Sequence, residues 1–267
     1  MFDYTPLQRS TGKACIAIER GRIAALRQSG SAKVLLPRTH SGVPEIVFLN
    51  TSGGLTSGDR LDYSLRLGAG MSARGTTQTA ERAYRAEGRP AEASVTLELG
   101  AGAALDWLPQ ETILFEGAAL QRETRVEMAG GARYLGIETV VLGRAAMGET
   151  VARLVFNDRR TIRLNGRLLL VDPFQLTDAS VARAGGGALL RGARAVATLI
   201  LVGRDAEAAL PALRTELTEP GVDGAASALE GRLLLRCLAP DAWPLRRQML
   251  RLIERLSPGA TPRCWQN

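Results

Sequence analysis

The chain has 267 residues, 45% of them hydrophobic, and a formal net charge of +7. That is enough apolar material for a sizeable core in one large domain or two small ones, and no apolar run approaches the roughly 18–20 residues that span a bilayer. One histidine, His40, and three widely separated cysteines, Cys15, Cys237 and Cys264, leave no basis for a multi-histidine metal site, a Ser-His-Asp triad on a nucleophile elbow, a CxxC zinc site or a disulfide framework. Only 4% of residues are aromatic, so the core must be built mainly from Ala, Leu and Val. All basic residues except Lys13 and Lys33 are arginine, which suits bidentate pairing with carboxylates on an acidic protein partner. They are not gathered into runs, which weighs against a nucleic-acid-binding module. Neither GxxxxGK[ST] nor a helix-opening GxGxxG occurs, so no phosphate loop is expected. The opening MFDYTPLQRS lacks a basic and then apolar signal pattern, and a cytoplasmic location is expected.

In chain order, loose alternation from Arg9 to Val34 predicts two strands joined by a hairpin at Arg20–Gly21. Pro37 and Pro44 bracket a loop carrying His40, and a strand at Glu45–Leu49 follows. It runs into NTSGGLTSGD, Asn50 to Asp59, where three glycines in six residues predict a sharply folded connection closed by a carboxylate. Then an internal repeat begins. Leu65-Arg-Leu-Gly-Ala-Gly, Leu97-Glu-Leu-Gly-Ala-Gly and Val126-Glu-Met-Ala-Gly-Gly share one pattern of a half-buried strand ending in small turn residues. A second strand follows each turn: Met71–Arg74, Ala103–Leu108 and Ala132–Ile137. Repeats of this period predict stacked units that bury a continuous core between neighbours. The fold class expected is therefore mainly β, a stacked β-hairpin or β-helix-like architecture.

Further strands are expected at Val151–Phe156, Thr161–Asn165 and Leu168–Asp172, with turns at Asn157-Asp158 and Asn165-Gly166. After Gly185-Gly186-Gly187 the texture changes. Ala195–Val202 reads as a strand, Asp205 to about Leu217 as a helix disturbed by Pro211, and Gly231–Leu238 as a strand. Asp241–Leu256 reads as a second helix with Asp241 at its N-cap and Leu245, Met249, Leu252 and Leu256 on one face. Arg246, Arg247, Arg251 and Arg255 fall largely on the other, a candidate partner-binding face. The division expected is a β-stack over residues 1–184 and a small C-terminal α+β part over 188–267 with two helices, packed on the same core.

Three polar segments follow the second strand of each unit: TTQTAER, LPQETIL and ETVVLGR. Equivalent places in a stack would bring Glu81, Glu111 and Glu138 toward one region. Taken in order, NTSGGLTSGD (50–59), TTQTAERAYR (76–85), WLPQETILFEGA (107–118) and IETVVLGRAAMGE (137–149) resemble the motifs of the urease accessory protein UreD family, called UreH in some organisms. The resemblance is good from about Arg9 to Asp172 and weak beyond. Ser57 stands where many members have Gly, Asn50-Thr51 where others carry His-Pro, and the end, TPRCWQN, fits poorly.

The resemblance implies a β-helix-like stack with a helical pair, and a scaffold rather than an enzyme. It implies binding to urease apoprotein and to UreF, which recruits the GTPase UreG, with no tightly bound cofactor and nickel only in transit through an internal polar path. Carried over to this chain, the path comprises Asp59, Glu81, Glu138 and Asp172, with Glu111 a further candidate. Scattered carboxylates without His or thiolate clusters hold a divalent cation loosely, which suits a conduit. The natural alternative on a β-stack is a carbohydrate hydrolase with paired carboxylates about 5–9 Å apart. It would need aromatic platforms, and Trp107 is the only Trp near the acids.

Overall fold

The computed structural model describes residues 9–39, 42–187, 189–259 and 261–266, with the backbone alone at 146. His40 lies outside them. The chain opens with β1 (Thr11–Glu19) and β2 (Arg22–Gly30), an antiparallel hairpin whose turn places Arg20 and Gly21 at positive φ. β3 (Ala32–Leu35) and β4 (Glu45–Asn50) form a second antiparallel pair. From there the chain coils. One turn runs through β5 (Arg60–Leu67), β6 (Ser72–Thr77) and β7 (Glu81–Ala83), the next through β8 (Ala91–Leu99), β9 (Ala104–Trp107) and β10 (Thr112–Leu114), and a third through β11 (Ala118–Met128) and β12 (Arg133–Leu142). β13 (Leu154–Leu164) continues the first side and folds back antiparallel as β14 (Arg167–Thr177).

The two strands of a repeat unit do not pair with each other. They lie in facing sheets, and each pairs in parallel with its counterpart one coil on, so the β-helix-like form of the expected stack is the one realised. Leu65, Leu97, Val126 and Ile162 share one rung, so the sequence repeat is the coil. The small residues turn the corner between the sheets: Gly70, Gly102 and Gly131 all sit near φ +70°, where other residues are strained. The glycine-rich turn is itself a rung of the short third side. Leu55 bridges to Ala83, and Ala83, Leu114 and Leu142 continue the row. At Gly54 a Cβ would lie 2.4 Å from the Tyr84 ring and 2.8 Å from the Arg82 carbonyl, so only glycine lets the turn close on β7.

After β14 come a short helix, α1 (Asp178–Ala182), then β15 (Ala195–Val202), α2 (Leu210–Glu216), β16 (Asp223–Leu229), β17 (Arg232–Ala239) and α3 (Ala242–Leu256). β15, β17 and β16 extend the second sheet antiparallel from β12. α3 lays Leu245, Met249, Leu252 and Ile253 on that sheet's outer face, against Leu199, Leu235 and Cys237. β12 and β15 are therefore buried on both faces. Among the described residues no helix is long and apolar enough to cross a membrane.

The structure departs from the sequence reading in several places. ETVVLGR does not follow the second strand of its unit: β12 runs on to Leu142, with Glu138 paired to Thr198 inside the sheet. Asn157-Asp158 is no turn, because β13 runs straight through it with Asp158 buried. β14 continues past Pro173, which is tolerated because β14 is an edge strand and needs no outward N–H there. α2 starts at Leu210, with Pro211 in its first turn, where a missing donor costs nothing. β16 and α1 were not anticipated; β16 reads DGAASAL, too small and polar to signal a strand.

Candidate functional site

Inward-facing positions of the early coils are apolar: Leu61, Tyr63, Leu65, Phe48, Trp107. In the later coils several of these positions carry charge. On the first sheet Arg122 pairs in register with Asp158, and Thr124 with Arg160 and then Asp172. On the facing sheet Glu138, Thr198 and Arg236 share one rung. These side chains form an alternating chain of charges between the sheets. Glu138 Oε2 lies 2.9 Å from Arg122 Nη1, and Arg122 Nη2 lies 2.7 Å from Asp158 Oδ2. Arg160 spans Asp158 at 3.2 Å and Asp172 at 3.4 Å, and Asp172 pairs with Arg236, which is half exposed at the far end.

Toward the start of the coil the row continues through neutral polar groups. Arg122 Nη1 donates to Thr112 Oγ1 at 2.9 Å, and Thr112 is in register with Glu81 on β7. Glu81 accepts from the Arg82 N–H at 3.1 Å and sits 3.4 Å from Asn50 Nδ2, which reaches in from the end of β4.

Burial decides the protonation of these groups. Desolvation pushes the Glu81 carboxyl up to about 7, with its hydrogen bonds to Arg82 N–H and Asn50 only partly offsetting it. Desolvation likewise holds Glu138 above the usual carboxylate range, with Arg122 opposing. Burial would raise Asp158 too, but Arg122 and then Arg160 outweigh it and keep it below. Arg122 stays protonated, because Asp158 and Glu138 raise its proton affinity beyond what burial removes. Tyr63 and Tyr134 are raised by burial, and further by Glu81 and Glu138 respectively. Trp107 Nε1 is close enough to Glu138 to favour its ionised form but makes no hydrogen bond of good geometry.

Of the five acids expected to lie together, the structure brings Glu81, Glu138 and Asp172 to one row. Asp59 is buried but fully engaged elsewhere: Oδ1 accepts from Ser10 N at 2.8 Å and Oδ2 from Thr56 N at 2.9 Å, which closes the glycine turn. Glu111 points the other way. Glu81 pairs with Thr112 and not with Glu111, and a one-residue offset turns a side chain to the opposite face. Its Oε2 lies 3.5 Å from Arg246 of α3, beside Gln110, which accepts from the same guanidinium at 2.7 Å. Sequence reading missed Arg122, Asp158, Arg160 and Arg236. For the first three the signal was parity: Arg122 is in phase with buried Leu120 and Val126, and Asp158 and Arg160 with Phe156 and Ile162.

Among the described residues no three His, Cys, Asp or Glu side chains converge to hold a metal ion, so the acids form a row of charge pairs and no chelating pocket. Trp107 is 1% exposed and packed edge-on to Phe48, which removes it as a sugar-stacking platform.

A profile of the UreD urease accessory protein family matches residues 12–266. The chain belongs to this family. Curated relatives agree along nearly their whole length. The urease accessory protein UreD of Cereibacter sphaeroides (strain ATCC 17025 / ATH 2.4.3) is 56% identical over 265 residues, covering 98% of this chain and 96% of that one. Those of Paracoccus denitrificans (strain Pd 1222) and Rhizobium leguminosarum bv. viciae are 53% and 43% identical, each with 96% of its own length covered. The family expectation is borne out, and the UreD match extends through the C-terminal part, where the motifs had seemed sparse.

Proposed function

We propose that this chain is a non-catalytic scaffold of urease maturation that engages urease apoprotein and UreF, meets UreG through UreF, and gives nickel a passage along the charged row. Family membership supports the maturation role and dealings with urease-related proteins. The observation that carries the passage is the row itself, polar through the interior of a β-coil from Glu81 to the half-exposed Arg236. Interior charge is costly unless paired, so a fold that keeps three ion-paired carboxylates where its other coils place Leu and Phe is using them for something besides packing. Nickel in transit is cargo: it would exchange one carboxylate oxygen for the next, with Asp59 holding the entry turn in shape and Glu111 outside the row.

The test is coexpression with urease apoprotein, UreF and UreG. Glu81→Gln with Asp172→Asn neutralises the row at both ends while leaving the Arg122 centre intact. Co-purification of all partners with slowed nickel-dependent activation is expected. Normal activation would sink the passage; loss of co-purification by the parent chain would sink the scaffold.

A further inference from the structure

Beyond Glu81, the ion-paired part of the row holds as many guanidiniums as carboxylates. Glu138, Asp158 and Asp172 alternate with Arg122, Arg160 and Arg236. Arg122 is the centre. One edge of its fork meets Glu138 and the other takes both oxygens of Asp158, Nε at 3.1 Å and Nη2 at 2.7 Å. Its plane is fixed by Phe156, whose ring centroid lies 5.4 Å from Cζ. A cation at the guanidinium's position has carboxylates on two sides. Two further polar groups on residues 1% exposed lie beside this centre: Trp107 Nε1 leans on Glu138 without a hydrogen bond of good geometry, and Thr124 Oγ1, in register with Arg160, makes no hydrogen bond.

We propose that Arg122 stands in for the divalent cation: by occupying the place between Glu138 and Asp158 it keeps the ion-paired part of the row neutral and stops these acids from becoming a tight chelate. The inference rests on the passage reading above. A divalent ion added to a neutral interior brings charge that the low dielectric penalises, so it is not retained. At Glu138 or Asp158 a metal–carboxylate contact displaces an N–H···O contact to Arg122, which keeps its proton and re-forms the contact as the ion leaves. Without Arg122 the pair would lose its shared guanidinium, with only Arg160 left beside Asp158, and the place between the two acids would be open to a metal ion in competition with a proton. Arginine suits the task because its fork pairs with two carboxylates at once and it does not discharge, whereas lysine offers a single point of charge.

The experiment is nickel uptake by the full-length chain, measured as bound metal after equilibrium dialysis and as the nickel-dependent shift in melting temperature. The parent chain is expected to retain no stoichiometric Ni2+. Arg122→Gln is expected to retain about one ion per chain and to melt roughly 5–10 °C higher in Ni2+ than in chelator. Arg122→Lys keeps a charge in the core and serves where the Gln variant does not fold; it is expected to retain nickel at a level between the two. Uptake by neither variant above the parent, or equal uptake by the parent, would overturn the proposal. Urease activation measured in parallel separates the two readings. Nickel gain with normal activation sustains the role of Arg122 and removes the passage; impaired activation without nickel gain does the reverse.

Discussion

Glu81 is held by amide donors, Asn50 Nδ2 and the Arg82 N–H, where Glu138, Asp158 and Asp172 meet guanidiniums. Its carboxyl, raised from 4.5 to about 7 by burial, binds a proton more tightly in the folded chain than in the unfolded one. Stability therefore falls as pH rises from about 4.5 to 7, by up to roughly 3 kcal/mol, and the penalty is complete above that window. Glu81→Gln removes the titration. Relative to the parent it should be more stable at pH 8 and equal near pH 4.5, and a urea series at several pH values checks this; a difference independent of pH would show that Glu81 is not buried in its charged form. At this scale the sequence marked Glu81, Glu138 and Asp172 through their motifs, and hid Asp158 behind an Asn-Asp pair that imitates a turn. Local turn preference lost to the ladder, because both neighbours of β13 extend past that point and Arg122 and Arg160 satisfy the buried carboxylate.

Elements were legible where one periodicity dominated. The coil strands alternate and the glycine corners recur, so their order could be read, with the starts of β6, β9 and β12 within a residue but ends missed by up to five residues at β12 and more at β13. α3 was legible at both ends: the Asp241 side chain accepts from the Trp243 N–H at 2.9 Å, and the apolar face packs as its spacing predicts. Asp241→Ala should cost about 1 kcal/mol, read as a lower urea midpoint with an unchanged slope. A loss within error would mean that tertiary packing alone holds the first turn. The side a short strand faces could not be read, because β7 and β10 span three residues each and their register is set by neighbours. That is why Glu81 and Glu111, similar in their motifs, point to opposite sides of the sheet.

Across the whole molecule, the last described residues tie the helical layer to the coil. Trp265 is 4% exposed; its Nε1 donates to the Leu108 carbonyl at 2.9 Å, its own carbonyl accepts from Arg246 at 2.8 Å, and Gln110 Nε2 donates to the Cys264 carbonyl at 2.6 Å. Trp265→Ala should therefore cost about 3–5 kcal/mol and open the tail to proteolysis. An unchanged melting temperature and an unclipped tail would show that the strap is not part of the fold. This segment was illegible in sequence because its anchors Leu108 and Gln110 lie more than a hundred residues away, in WLPQETILFEGA, while TPRCWQN itself fits the family motifs poorly. A parallel stack offers at each end a row of unpaired backbone groups on which a second copy could continue the spiral. Here the first sheet finishes at both ends in a strand that has reversed direction, β2 and β14, the former exposed along nearly all its length and bearing Arg22 and Arg27, the latter carrying Pro173, which has no N–H to offer. The number of turns is thus fixed by terminators at the two ends, and a chain that lost either hairpin would be expected to polymerise end to end into filaments.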